Sequence, residues 1–175
     1  HSDTVQSVGK TKLDLQVIPI DFTVASAHKF HGPKGVGFAF VRRRSGLRPL
    51  FFGGEQEKGL RPGTEGVHQV AGMAKAFELS YHNLEADTKH ISELKAYLIG
   101  QLEINFPEHK INGNQDGFYT VVNVQLPFSE DKTAMILFHL DIKGIAVSRG
   151  SACQSGSISP SHVLEEILPK EEVNK

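Results

Sequence analysis

Residues 17–41 constrain the fold of this chain most tightly, because two apolar runs there flank a polar break that carries two lysines and two histidines. Val17-Ile18-Pro19-Ile20-Asp21-Phe22-Thr23-Val24-Ala25 is rich in β-branched and apolar residues and predicts a strand, with Pro19 limiting pairing over its first half. Gly35 to Val41 predicts a second strand. Between them, Gly32, Pro33 and Gly35 permit the backbone turns that other residues resist. Lys29 stands at the mouth of the first run, beside the polar Ser26 and His28. Most lysines in such a place send their ammonium out to solvent along the aliphatic stem. The alternative is chemical: a poorly solvated lysine favours its neutral amine, and that amine can attack a carbonyl carbon. Gly32, Gly35 and Gly37 invite a phosphate-loop reading, but G-x-x-G-x-G between two strands matches neither a Walker loop nor a dinucleotide fingerprint. Their better use is a sharp bend beside Lys29.

Downstream, Leu47 to Thr64 reads as a loop broken by Gly53-Gly54, Gly59 and Pro62-Gly63. From Glu65 the pattern turns helical, with Val67, Val70, Ala71, Ala74 and Phe77 on one apolar stripe, and Ile91, Leu94, Leu98 and Leu102 repeat the rhythm. Phe118 to Leu126 alternates as a strand, with Val122, Val124 and Leu126 on one face. Ser129 is placed to cap a helix with Glu130 and Asp131 in its first turn and Gly144 at its end. Ile145-Ala146-Val147 predicts a short strand entering a Ser/Gly loop over 148–157, and Ser161 opens a last helix. The order is strand and loop, then a helical connector near 65–105, then an α+β segment. A domain boundary is expected inside the connector, giving residues 1–85 and 86–175.

With 175 residues, 39% of them hydrophobic, the chain is long enough to bury a core. A formal net charge of −1 supplies no global field for nucleic acid or an anionic membrane, and Arg42-Arg43-Arg44 reads as a solvated strand end. No window approaches the roughly 18 apolar residues of a spanning helix, and no basic-then-apolar leader is present, so a soluble cytoplasmic protein is expected. The single cysteine, Cys153, excludes an internal disulfide and multi-cysteine metal motifs, and the nine histidines show no HExxH-like pairing, so no metal site is expected. An isolated cysteine is usually a small buried hydrophobe. Here Gly150, Ser151, Ser155, Gly156 and Ser157 surround it with a composition that buries little, which suits a reactive thiol. The first residues, His1 to Gln6, read as the exit from a strand, and the last stop just after a helix, so a piece of a longer chain is expected.

Four segments, in order, give a specific resemblance: HSDTVQSVGK, SAHKFHGPKGVG, RPGTEGVHQVAGMAKA and GIAVSRGSACQSGS. Together they resemble the cysteine desulfurases of the class V aminotransferase superfamily, pyridoxal 5'-phosphate (PLP) enzymes of fold type I. The Ser-Ala-Cys loop is similar to that of the longer-loop class, with Arg149 standing where many relatives have Ser. The resemblance implies an α/β fold: part of a mixed-sheet large domain, its later half in residues 1–85, followed by most of a smaller α+β C-terminal domain in 86–175. It implies Lys29 as the lysine that holds the cofactor covalently and later shuttles a proton at the substrate carbon. Asp3 would pair with the protonated pyridine nitrogen, Gln6 with the ring hydroxyl, and Ser26 and His28 with the phosphate. Thr64 would reach the phosphate from the other subunit of a homodimer. Cys153 would attack the sulfur of L-cysteine, leave as a persulfide and pass that sulfur to an acceptor or iron-sulfur scaffold protein. Each residue taken alone has a plainer role: Asp3 a turn residue, Gln6 a surface amide, Ser26 a strand-end hydroxyl, Thr64 a helix cap, His31 and Lys34 exposed loop residues.

The implied activity is conversion of L-cysteine to L-alanine for iron-sulfur cluster or thio-cofactor assembly. Family members are roughly twice this length, so the chain alone is expected to lack turnover. A selenocysteine lyase or PLP-dependent aminotransferase would keep Lys29 and Asp3 without requiring Cys153. A non-catalytic module for dimerisation or acceptor docking would require neither amine nor thiol chemistry.

Overall fold

The computed structural model describes residues 1–114, 116–148, 161–170 and 172–173. Contacts gather in two compact units, His1–His90 and Ile91–Lys175.

The first unit holds a three-stranded sheet in the order β1-β2-β3, made by β1 (Ser2–Asp3), β2 (Phe22–Ser26) and β3 (Gly37–Val41). β1 runs parallel to β2, with Ser2 opposite Thr23 and Asp3 opposite Val24. β3 runs antiparallel, from Phe22 opposite Val41 to Ser26 opposite Gly37. Aromatic and β-branched side chains along 22–24 and 38–41 suit a pleated, half-buried surface. The strand expected over 17–25 starts only at Phe22. Before it, the Asp14 carboxylate accepts the Gln16 amide at 2.8 Å and the Asp14 carbonyl accepts those of Val17 and Ile18, so the segment turns. The Arg42 guanidinium then donates to the carbonyls of Leu15 at 2.7 Å, Ile18 at 3.2 Å and Ile20 at 3.0 Å. Side-chain partners thus displace the ladder there, and Pro19 has no amide to offer it.

β2 ends in a 3-10 turn, Ala27–Phe30, whose ends are sunk: Ala27 is 0% and Phe30 2% exposed. Val8, Ala25, Ala27 and Phe30 form the core, with Leu13, Val36, Phe38, Met73 and Ala76 packed against it. After a second 3-10 turn at Gln56–Gly59, α1 (Val67–His82) supplies the other wall. Phe77 meets Phe30 and Phe38 edge-on, each at 5.9 Å between centroids, a preferred aromatic geometry. The stripe read from sequence is therefore displaced. Phe77 takes part in the packing, but Met73 and Ala76 carry it on that face, while Val67, Val70, Ala71 and Ala74 are exposed. A helix with apolar residues on two faces has no unique stripe by spacing alone.

Gly9 and Gly37 are among the glycines that close approach requires. At Gly9, φ is +76°, and a Cβ would fall 2.8 Å from Phe30 Cβ and 2.9 Å from Ser80 Oγ. At Gly37 a Cβ would collide with the Ala25 carbonyl oxygen of the neighbouring strand.

α2 (Leu84–Asn105) continues into the second unit. There β4 (Lys110–Ile111) pairs antiparallel with β5 (Val124–Gln125), and Asn112 Nδ2 donates to Asn123 Oδ1 at 2.8 Å beside the pair. The strand expected over 118–126 shrinks to two residues. Lys95 Nζ takes the carbonyls of Gly117 and Phe118, which draws that stretch into turns. α3 (Glu130–Ile142) starts after Ser129 and stops before Gly144, at φ +74°, although the Ser129 hydroxyl makes no capping bond. Its carbonyl instead accepts the amide and hydroxyl of Thr133. Ile145 to Val147, expected as a strand, is irregular, because the Ile145 amide folds back onto the Leu140 carbonyl at 2.9 Å. α4 (His162–Ile167) follows Ser161. Among the described residues no helix is long and apolar enough to cross a membrane.

Truncating Phe30 removes the ring on which the turn and α1 meet, so Phe30→Ala should lower stability by about 3–5 kcal/mol in denaturant unfolding. Replacing Arg42 with Met should cost about 1–3 kcal/mol, since three backbone carbonyls lose a charged donor. Unchanged unfolding midpoints would contradict both assignments.

Candidate functional site

The polar residues singled out between 3 and 29 collect where β1 and β2 end. Parallel pairing places Asp3 against Val24, two residues before Ser26, so both strands deliver their polar ends to one edge. In open α/β sheets, ligands bind beyond the carboxyl ends of parallel strands. Thr4, buried, locks the exit from β1: its amide and hydroxyl both donate to the Val24 carbonyl, at 3.2 and 2.7 Å. Asp3 remains exposed, with one carboxylate oxygen accepting the Val5 amide at 2.9 Å. That bond fixes the carboxylate at the strand end and leaves its other oxygen available. Gln6 is exposed in the turn that follows.

On β2, Ser26 Oγ lies 2.9 Å from His28 Nδ1, so a hydroxyl and an imidazole are already joined at the start of the 3-10 turn. Lys29 comes next, half-buried between the sunk Ala27 and Phe30. The backbone around it is tied down, with the Ala27 amide donating to Val36 at 3.0 Å and the Gly32 amide to Ala27 at 2.8 Å. His31 closes the turn in the left-handed region at φ 66°. A lysine is tolerated here because Ala27 and Phe30 carry the burial of the turn, while Lys29 itself stays half-buried.

Two residues with roles at this edge were not marked by the sequence pattern. Thr4 shows as a strand-end clamp only once the pairing is known. Lys10 lies half-buried on the turn that packs on residue 30, and burial first, then the Lys29 charge, hold its ammonium below the usual lysine range. Nothing in the local spacing of Lys10 signals that neighbour.

Thr64 lies exposed ahead of α1, and no hydrogen bond joins it to the strand-end group; Gly66, not Thr64, holds the helix N-cap position. Cys153 and Arg149 lie outside the described residues. Among the described residues, no group of three or more His, Cys, Asp or Glu side chains could hold a metal ion.

The donor set can be tested against PLP. A fixed, exposed carboxylate suits a protonated ring nitrogen, a hydroxyl-imidazole pair suits a phosphate, and an amine at the same edge suits an aldehyde. The residues present fit the group.

The comparisons with known proteins agree with that chemistry. The model of the Aminotransferase class-V family matches residues 1–167. The chain is 39% identical over 167 residues to cysteine desulfurase IscS of Dictyoglomus turgidum, covering 95% of this chain and 42% of that protein. It is 43% identical over 169 residues to the mitosomal cysteine desulfurase of Encephalitozoon cuniculi, covering 95% and 38% respectively. Among solved structures, a NifS-like protein superposes with a TM-score of 0.82 at 31% identity, over 98% of this chain and 44% of the other. A NifS-like protein from Rickettsia africae gives 0.81 at 28% identity, over 99% and 45%. The fold is thus that of part of a fold type I PLP protein, and the chain spans about two fifths of the length of the relatives it matches. With its strand-end lysine, carboxylate and hydroxyl-imidazole pair, this chain belongs to the class V aminotransferases, a PLP-dependent family, and resembles the cysteine desulfurases within it.

Proposed function

We propose that this chain is part of a homodimeric, PLP-dependent cysteine desulfurase that converts L-cysteine to L-alanine and loads the released sulfur on Cys153. The observation that carries the reading is the meeting of Lys29, Asp3, Ser26 and His28 at the ends of two parallel strands, in a chain similar to cysteine desulfurases over nearly its whole length. Residues 1–85 are assigned to the cofactor domain and 86–175 to the smaller domain, in the cytoplasm, with a sulfur-acceptor or iron-sulfur scaffold protein as the partner.

Each residue then has one task. PLP, when bound, supplies an electron sink for negative charge developing at the substrate carbon. Asp3 holds a protonated ring nitrogen through its free carboxylate oxygen, and Gln6 offers an amide to the ring hydroxyl. The Ser26 hydroxyl and the His28 imidazole orient the phosphate, and Thr64 meets it from the partner subunit. Lys29 would hold the cofactor through its amine, and the same amine would carry a proton at the substrate carbon. At Cys153 the thiolate attacks the substrate sulfur: an S–S bond forms, the C–S bond breaks, and its electron pair leaves with the carbon.

Borohydride reduction in the presence of PLP, followed by peptide mass mapping, should place the pyridoxyl group on the peptide containing Lys29. Modification confined to other lysines would refute the assignment. In a full-length chain carrying these 175 residues, Cys153→Ser should abolish sulfur release, by at least about 100-fold for loss of a nucleophile, while Lys29 labelling persists. Alanine formation by the isolated 175-residue chain should fall far below that of the full-length protein.

A further inference from the structure

The stretch between β3 and α1 is closed on itself. Gly53 and Pro62 lie so near that a Cβ on Gly53 would sit 3.0 Å from Pro62 Cβ, and Gln56 Oε1 accepts the Gly63 amide at 3.2 Å. Residues 53–63 therefore leave and return at one place, as a compact surface loop of the Ω type does. At its tip Glu57 (φ 49°), Lys58 (φ 57°) and Gly59 (φ 76°) are left-handed in succession, a conformation that residues carrying a Cβ resist. No residue of the 3-10 turn at 56–59 is buried, so apolar packing does not hold it. Hydrogen bonds do: the Gly59 amide donates to the Glu55 carbonyl and the Leu60 amide to the Glu57 carbonyl, each at 3.1 Å, and the Gln56 side chain shuts the loop. Gly54 makes room for that side chain, because a Cβ there would collide with Gln56 Oε1.

We propose that Gln56 is a positioning residue for Thr64: by holding the Gly63 amide on its side-chain carbonyl, it fixes where the chain enters residue 64 and so presents that hydroxyl to the phosphate in the partner subunit. The inference rests on the reading of Thr64 as the phosphate contact across a homodimer. Gly63, at φ +114°, turns the backbone out of the loop, and Thr64 is the next residue. Thr64 is exposed, and its hydroxyl bonds to none of the described residues, so the backbone leading into it decides its place. A misplacement of about 1 Å in a group that positions substrate or cofactor is enough to cost function. What the role demands of position 56 is an acceptor. A carboxylate there would still take the Gly63 amide, whereas a methyl group would leave the loop to open and its left-handed tip to relax.

Two measurements on a full-length protein carrying these 175 residues test the proposal. The first needs no cofactor: hydrogen exchange of the Gly63 amide, resolved by mass spectrometry, should run about three- to tenfold faster in Gln56→Ala, the span that one exposed hydrogen bond supplies. In Gln56→Glu it should stay near the wild-type rate. Equal rates in wild type and Gln56→Ala, or an equal rise in Gln56→Glu, would overturn the closure. The second is the dissociation constant for PLP, taken at protein concentrations that keep the dimer assembled. Thr64→Ala should weaken binding about tenfold, as loss of one hydrogen bond to a charged group does. Gln56→Ala should weaken it several-fold, and the double variant should bind no worse than Thr64→Ala alone, because a residue that acts through Thr64 has nothing left to position once the hydroxyl is gone. If Thr64→Ala weakens binding while Gln56→Ala does not, or if the two losses multiply in the double variant, the positioning role is wrong and the Thr64 reading stands. If Thr64→Ala binds PLP as the wild type does, the Thr64 reading itself fails and takes the positioning role with it.

Discussion

The first unit depends on burying Ala27 and Phe30 on either side of Lys29. A 3-10 turn of four residues is weak by itself, since its hydrogen bonds are few and poorly aligned. Here it is held by tertiary contact: Phe30 fits edge-on against Phe77 of α1, Gly9 backs onto its Cβ, and Val36 accepts the Ala27 amide. Burial of one phenylalanine supplies on the order of 2–3 kcal/mol. That hydrophobic term fixes the backbone of a polar residue that contributes nothing to the core. The lysine turn is therefore positioned by the burial of its apolar residues together with the backbone bonds donated by the Ala27 and Gly32 amides.

The same economy explains the glycines. Gly9 and Gly37 are not loop fillers, because each lets one backbone approach another where a methyl group would collide. Gly37 allows β3 to pair with β2 up to Ser26, so the ladder continues to the start of the lysine turn. The phosphate-loop pattern suggested by Gly32, Gly35 and Gly37 thus has a steric origin. Gly32 likewise sits against Ala27, where an added Cβ would come within 2.9 Å of the alanine side chain.

Much of this was legible in the sequence, and the misses share a cause. Helices with strong periodicity appear where spacing puts them, at Val67–His82 and Leu84–Asn105, and the strand–turn–strand around Lys29 is present. The strands fail where a long side chain from elsewhere claims the backbone: Arg42 takes three carbonyls near 15–20, and Lys95 takes two near 117. Period-2 patterning cannot anticipate a donor more than twenty residues away. Within the candidate site, each residue taken alone has a plainer role, and it is the resemblance of the four segments that marks Lys29, Asp3, Ser26 and His28 as a set. Lys10 is not marked in this way, since its environment is created by a contact between turns and not by its neighbours in sequence.

The exposed apolar residues bear on the proposed dimer. Val67 on α1 is 73% exposed, and Leu50, Phe51 and Phe52, in the segment leading to Thr64, are 87, 71 and 86% exposed. Isolated surface hydrophobes are ordinary, but five large ones within eighteen residues, Leu60 included, on a stretch with little regular structure, are costly to leave in water. Burying a phenylalanine or leucine from such a state gains on the order of 1.5–3 kcal/mol each. A segment of this kind folds back on its own chain or is covered by another. The homodimer reading takes the second course and gives Thr64 its role, because a loop anchored by apolar side chains against a partner subunit can present one hydroxyl to that subunit's phosphate. The apolar residues would supply the affinity and Thr64 the contact with the phosphate.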